Sequence, residues 1–279
     1  MQNRSLRDGE SVVLIDSRGR RFLKRLKAGH RMTVRGTMLR ADDLIGCNEG
    51  VTVGRREPER FLVFRPRYSD FVTLAPREAE PIFPKDAGMI LTKGDVRPGN
   101  RVIEIGAGCG ALTIALLRMT APGGAVSTYE MRPEFAQQAR ANVREQCGDD
   151  SRWTVRIGDA RRGFAERGVD HVIADMPEPR SLVEPAAEAL RPGGGFLFYV
   201  PTVGQFSDAV SALTADPRFA LVETFEVFER GWHVRAPSVR PQHRMVAHTG
   251  FLTTARRTAE AVEALDADLN HHGNRDSDR

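Results

Sequence analysis

The sequence predicts an α/β fold, a parallel sheet with helices on both faces, behind a small N-terminal β domain. Two observations carry the sheet. From about residue 100 onward, short apolar runs alternate with longer amphipathic stretches, the order that builds βαβ units. The first of those runs, Arg101-Val-Ile-Glu-Ile105, breaks into Gly106, Gly108 and Gly110 just before a helix, as strands do where an open sheet receives a ligand. A third observation carries the β domain: before residue 76 the pattern is short and alternating, broken by Gly, Asp and Pro.

In that first part, residues 11–15, 21–23, 31–35, 50–53 and 61–64 read as strands. Ser17-Arg-Gly-Arg20 and Arg55-Arg-Glu-Pro58 read as hairpin turns with solvated charges, although basic turns can also meet a phosphate backbone. Arg65-Pro66 through Pro84 reads as a proline-studded connection, and 86–91 as a helix entering the second domain. Strands then follow at 101–105, 125–129, 153–157, 170–174 and 195–200, with helices at 111–119, 133–146, 181–190 and 204–214 and a turn at Pro192-Gly-Gly-Gly195. Residues 220–228 and 245–255 close the sheet as an antiparallel pair. The domains are thus 1–75 and 76–257; a short Ala/Glu helix and a disordered tail fill 258–279, where His271 and His272 are solvated rather than metal ligands.

The chemistry-bearing residues gather at strand ends. Gly106, Gly108 and Gly110 turn the backbone tightly and leave no side chain between it and a nucleotide-like cofactor. Their spacing is G-x-G-x-G, not the G-x-G-x-x-G that seats a pyrophosphate, and Glu104 lies two residues earlier, where a carboxylate repels pyrophosphate and suits a sulfonium or an ammonium. Glu130 ends the next run, where it can accept both ribose hydroxyls. Asp159, followed by Ala160, ends the third in position to reach an adenine amino group, and Asp175 ends the fourth ahead of Met176-Pro-Glu-Pro179. Cys109 reads as a small loop residue, with no histidine or metal-binding spacing beside it. Taken singly, each of these acids also fits a helix cap or a solvated turn.

Between the last two strands runs Glu229 to Arg244, with four arginines, two histidines and Trp232. Arginines interleaved with an aromatic suit nucleic acid, with Arg235 and Arg240 on phosphate, His233 beside them and Trp232 stacking on a base. A packed loop whose Trp232 fills a subunit interface is the other reading.

Composition narrows the classes. The 279 residues carry 41 basic and 37 acidic side chains, so a net charge of +4 calls for a local basic face rather than a uniform one. Three cysteines without C-x-x-C spacing and an N-terminus lacking an apolar core predict a reduced, cytoplasmic protein with no metal site. No apolar run approaches the ~20 residues that cross a bilayer, so no membrane role is expected.

Four strands with acids at their carboxyl ends, after a glycine turn, resemble the S-adenosylmethionine methyltransferases. With Phe83-Pro-Lys-Asp86, Tyr129-Glu130, Arg132-Pro-Glu-Phe135, Asp175-Met-Pro-Glu-Pro179, Tyr199-Val-Pro-Thr202, Arg240-Pro-Gln-His243 and Ala247-His-Thr-Gly-Phe251, the chain resembles the bacterial and archaeal tRNA (adenine-N1)-methyltransferases that act on adenine 58 of the T loop. The resemblance covers most of residues 10–257. It implies a seven-stranded Rossmann-like methyltransferase sheet, S-adenosylmethionine as cofactor, tRNA as partner and a homotetramer. It also implies that Cys109, Gly110, Ala111 and Leu112 run beside the cofactor, Glu130 holds the ribose, Phe135 lies near the adenine, Asp159 meets its amino group, and Asp175, the catalytic residue, faces cofactor and target base.

Departures from the family pattern sit around the acceptor. Relatives carry tyrosine at Phe83 and tryptophan at Arg180, the two residues flanking the expected substrate pocket. They carry a His-Gly pair where Arg35-Gly36 stands, and a histidine near Asp42-Asp43. A paralogue acting on a peptide, a nucleoside or another secondary metabolite is therefore a second reading. A cofactor- and RNA-binding subunit without turnover is a third, opposed by the intact glycine turn and Asp175, and a dehydrogenase is the last.

Overall fold

The computed structural model describes residues 5–54, 59–75 and 80–262. The expected turn at Arg55–Pro58 and the C-terminal tail with His271 and His272 lie outside the described residues. The chain divides into two compact units, Met1–Pro84 and Lys85–Arg279.

In the first unit β1 (Ser11–Asp16) and β2 (Arg21–Arg25) form a hairpin, β3 (Arg31–Val34) and β4 (Thr37–Arg40) another, and β5 (Thr52–Val53) and β6 (Phe61–Phe64) complete a four-stranded sheet of order β2-β1-β6-β5. Alternating residues of these strands, Val12, Leu14, Phe61 and Val63, bury into one core with Leu26, Val34 and Leu39. The β3–β4 hairpin was missed in the sequence, where 31–35 reads as one strand. Arg35 and Gly36 turn it with φ of +51° and +83°, the double left-handed geometry of a tight hairpin. The Ser17–Arg20 turn is real, but Arg20 is not a free charge: its Nε donates to buried Asp16 at 2.7 Å. The connection after Pro66 also holds a helix, α1 (Tyr68–Leu74), entered by a turn in which the Arg67 backbone N–H donates to Asp70.

The second unit begins at Lys85, within α2 (Pro84–Lys93). It continues with β7 (Arg101–Ile105), α3 (Ala111–Thr120), β8 (Ala125–Glu130), α4 (Pro133–Cys147), β9 (Trp153–Ile157) and β10 (Val169–Asp175), then α5 (Val183–Ala189), β11 (Leu190–Val200), α6 (Val203–Ala215) and β12 (Phe219–Glu226). A two-stranded ribbon, β13 (Trp232–Arg235) and β14 (Ser238–Pro241), precedes β15 (Phe251–Arg257). The sheet has seven strands in the order β12-β15-β11-β10-β7-β8-β9, with β15 antiparallel to both neighbours and the parallel pairs running from β11 to β9. Chain order reverses at β7, which lies between β8 and β10, and crevices open at the carboxyl ends of such a switch point.

Helices cover both faces, so the central strands are buried on both sides; β7 is exposed only at Arg101. Ile103, Val172, Phe196 and Phe198 pack under Ala186, Ala187, Ala209 and Leu213 of α5 and α6. In α4 the buried set Phe135, Ala136, Ala139 and Val143 recurs at helical spacing. Two expectations shift. Pro192–Gly195 is not a separate turn but part of β11, where the pairing with β10 slips between Val169 and His171. The 229–244 segment is not a loop but holds the β13–β14 ribbon.

Candidate active site

At the carboxyl edge, beside the switch point, lies a cavity of about 450 Å³. The tips of β7, β8, β9 and β10 build it. Gly106 comes from the first, Tyr129, Glu130, Met131 and Arg132 from the second, Gly158, Asp159, Ala160 and Arg161 from the third, and Asp175, Met176, Pro177 and Glu178 from the fourth. Of the expected cofactor residues, Gly106, Glu130, Asp159, Ala160 and Asp175 are therefore brought together. Gly106 has φ of +87°, and a Cβ there would collide with the Asp175 carbonyl oxygen, so only glycine lets β7 turn this close to β10.

Glu130 is almost fully buried and accepts the Ala107 N–H at 2.9 Å on one oxygen and the Arg132 N–H at 2.9 Å on the other. It thereby holds the glycine turn in place while its carboxylate stays on the cavity wall. Asp159 caps a short 3-10 turn at Ala160–Arg162, accepting the Arg161 N–H at 3.0 Å and the Arg161 guanidinium at 2.9 Å. Arg161 beside it holds the Asp159 carboxyl below the usual carboxylate range. Arg161 was missed in the sequence; an Asp followed two residues later by Arg in a capped turn was its signal. Arg132, also missed as a wall residue, stacks its guanidinium 3.6 Å from the centre of the Phe135 ring.

Asp175 is partly buried at the end of β10, and burial, with the nearby Glu130 charge, pushes its carboxyl up to about 7. Such a group is poised between acid and carboxylate near neutrality.

Other expected residues stand elsewhere. Glu104, expected to face a cationic cofactor, is wholly buried behind the turn rather than on the cavity wall. One of its oxygens accepts the hydroxyls of Thr113 and Thr128, both at 2.6 Å, and Trp153 Nε1 donates in turn to Thr128. The other oxygen finds no partner among the described residues, and burial pushes the carboxyl up to about 7. Gly108, Cys109, Gly110, Ala111 and Leu112 form the loop and first turn of α3 behind Gly106, and Asn142 of α4 donates to the Cys109 carbonyl at 2.8 Å. A Cβ at Gly110 would press on Ala139 at 3.1–3.3 Å, so this glycine lets α4 pack close. Phe135 lies behind Arg132, buried. Phe83 belongs to the first unit, and Arg180 is exposed on the turn after Glu178.

The ribbon is two-faced. Cross-strand pairs Trp232–Pro241 and Val234–Val239 alternate with His233–Arg240 and Arg235–Ser238, so one face is apolar and the other basic. Trp232, Val234 and Val239 are 58%, 73% and 62% exposed.

The donor set suits one cofactor chemistry. Acids at successive tips accept ribose and amino hydrogens and favour a cation, whereas a pyrophosphate would meet Glu130 and Asp175. A seven-stranded sheet with this edge defines an S-adenosylmethionine-dependent methyltransferase, an enzyme. Comparison with known proteins narrows it. The family model described as tRNA methyltransferase complex GCD14 subunit matches residues 71–243, and that described as TrmI-like N-terminal matches residues 5–53. The chain belongs to this tRNA methyltransferase family. It is similar to the tRNA (adenine(57)-N(1)/adenine(58)-N(1))-methyltransferase TrmI of Methanocaldococcus jannaschii, with 31% identity over 90% of this chain and 96% of that protein. Among solved structures, it is similar to an S-adenosylmethionine-dependent O-methyltransferase from Thermotoga maritima, with TM-score 0.87, 27% identity and coverage of 93% and 97%. It is also similar to the tRNA (m1A58) methyltransferase TrmI of Aquifex aeolicus, with TM-score 0.80, 27% identity and coverage of 92% and 100%.

Proposed function

We propose that the chain methylates N1 of adenine in the T loop of tRNA, with Asp175 as the residue that faces the acceptor base. The observation that carries this reading is the Asp175 carboxyl on the wall of an acid-lined cavity at the sheet's carboxyl edge, in a chain of the tRNA methyltransferase family. S-adenosylmethionine supplies an electrophilic methyl group on a sulfonium. Adenine N1 has an in-plane lone pair and is unprotonated at neutral pH, so alignment rather than a strong base is what the protein must provide. The attack leaves the ring cationic, and the Asp175 carboxylate, accepting N6 hydrogens, stabilises that charge as it grows. Glu130 takes the ribose hydroxyls, and Asp159, steadied by Arg161, meets the adenine amino group of the cofactor. Residues 85–257, within the second unit, form the catalytic domain in this reading.

A base inside folded RNA hides its N1, and flipping it out costs roughly a few kcal/mol. The basic face of the ribbon, Arg235 and Arg240 with His233, offsets that cost through phosphate contacts. The apolar face needs cover as well, because an isolated two-stranded hairpin is marginal in water. A second copy of the chain provides it, in the homotetramer that the resemblance implies and a cytoplasmic setting.

Incubating the protein with labelled S-adenosylmethionine and bulk tRNA, then digesting, is expected to yield 1-methyladenosine. Label in another product would favour the second reading, an altered acceptor, for which the exchange of Tyr and Trp for Phe83 and Arg180 speaks.

A further inference from the structure

Three sequence motifs take no part in the cavity yet meet at one place. Lys85 and Asp86 come from the start of α2, Tyr199 from the end of β11, and His248 to Gly250 from the approach to β15. The three protons of the Lys85 ammonium are spent on Asp86 at 2.8 Å, the Val227 carbonyl at 2.7 Å and the Thr249 hydroxyl at 2.6 Å. Thr249 donates to the other Asp86 oxygen at 2.8 Å and hydrogen-bonds Tyr199. Asp86 is fully buried, and a Cβ at Gly250 would collide with the Tyr199 ring. Tyr199 stands in register beside Asp175.

Val227 and Thr249 are the two stalks of one excursion, the segment that leaves β12, makes the arginine-bearing ribbon and returns to β15. Lys85 grips both. Next to each grip point is a second tie, from Glu226 at the end of β12 to His248 on the returning stalk: His248 Nδ1 lies 2.6 Å from Glu226 Oε1, and its Nε2 lies 2.8 Å from the Pro201 carbonyl. A carbonyl only accepts, so Nε2 carries a proton; a carboxylate only accepts, so Nδ1 must carry one as well. The closed tie therefore requires the imidazolium.

We propose that Lys85 and His248 are positioning residues that clamp the root of the RNA-binding arm to the catalytic edge of the sheet, Lys85 permanently and His248 only while protonated. This rests on the reading of the arm as the tRNA-binding element. The groups facing His248 are the Glu226 carboxylate of β12, the Pro201 carbonyl after β11, the Lys85 ammonium of α2 and the Phe251 ring of β15, 4.9 Å away and itself packed on Phe206 of α6. Glu226 and the carbonyl raise the His248 pKa above its ordinary 6.5, and Lys85 opposes them weakly. A raised histidine value means that the tie is complete below that ordinary value and is lost as pH rises through the folded one. His248 is 48% exposed, so its effect is local and overall stability barely changes.

The test is amide hydrogen exchange at the root, residues 226–228 and 248–250, compared between proteins at the same pH so that the intrinsic pH dependence cancels. At about pH 6 the parent and Glu226→Gln are expected to be equally protected and His248→Ala to exchange about fivefold faster. At about pH 9 the parent is expected to join His248→Ala, while Glu226→Gln stays protected, because the amide N–H donates to a neutral Nδ1. Lys85→Gln is expected to exchange faster at both; should it not fold, the His248 and Glu226 variants decide. In tRNA methylation, His248→Ala is expected to raise KM for tRNA about fivefold at about pH 6 and to leave KM for S-adenosylmethionine unchanged. The proposal is overturned if the parent and His248→Ala exchange alike at about pH 6, or if the parent stays protected at about pH 9. It is overturned equally if both KM values rise together. Exchange needs no acceptor, so a failure of the tRNA reading would show separately, as absent 1-methyladenosine.

Discussion

In the proposed function Asp175 faces two demands that pull in opposite directions. To steady a base that gains positive charge it must be ionised, yet its place beside Glu130 at a partly buried strand tip keeps it half neutral near pH 7. In the proposed function a bound cationic cofactor beside the two acids would draw the Asp175 value back down. Two outcomes follow at this scale. Asp175→Ala is expected to reduce kcat on the order of 10²–10³-fold while S-adenosylhomocysteine, measured by calorimetry, binds within a few-fold of the parent. In the parent, kcat/KM for S-adenosylmethionine is expected to rise with pH through about 7, because the ionised form is the active one and the cofactor-free protein's raised value sets the limb. A profile flat across that range would remove the carboxylate from the mechanism.

The ribbon is the element whose pattern was plainest and whose form was not. Basic and aromatic residues interleaved over 229–244 read as a nucleic-acid contact or as a packed loop, but only the β13–β14 pairing sorts them into Trp232, Val234 and Val239 on one face and His233, Arg235 and Arg240 on the other. One short sequence thereby sets a basic face and an apolar face apart without mixing them. Affinity for tRNA is expected to fall steeply with salt, and Arg235→Ala with Arg240→Ala to reduce the log–log slope by about one per arginine. Filter binding from low to moderate salt measures it. The β3–β4 hairpin teaches a related lesson: Arg35-Gly36 lacks the usual Asn-Gly signal, so its left-handed turn shows only in the φ values.

At the scale of the whole molecule, one buried carboxyl links the packing of the sheet to pH. Glu104 lies inside the sheet's packing with one oxygen unpartnered among the described residues, and its raised value makes it a stability element. An acid whose folded pKa is raised from 4.5 to about 7 stabilises fully below 4.5 and loses that contribution as pH rises through about 7. Glu104→Gln, which cannot ionise, is expected to flatten the pH dependence of Tm over that window; an unchanged slope would assign it to other groups.

The alternating strands and helices after residue 100, the glycine turn and the acids at or beside the ends of β8, β9 and β10 could be read from the chain, because period, turn chemistry and strand ends are local properties of sequence. What it could not show is direction. Glu104 was expected to face the cofactor and instead turns inward to Thr113 and Thr128, since which side of a strand meets a cavity depends on the elements packed above it. Lys85, Tyr199 and His248 lie far apart in sequence and share one root beside Asp175, and no local pattern encodes a hydrogen bond from residue 85 to residue 249. The sequence by itself determined the class of cofactor and the edge of the sheet at which acids gather. Only the tertiary structure decided which acids reach that edge and what holds the arm beside it, because burial and long-range partnership exist only once the strands are side by side.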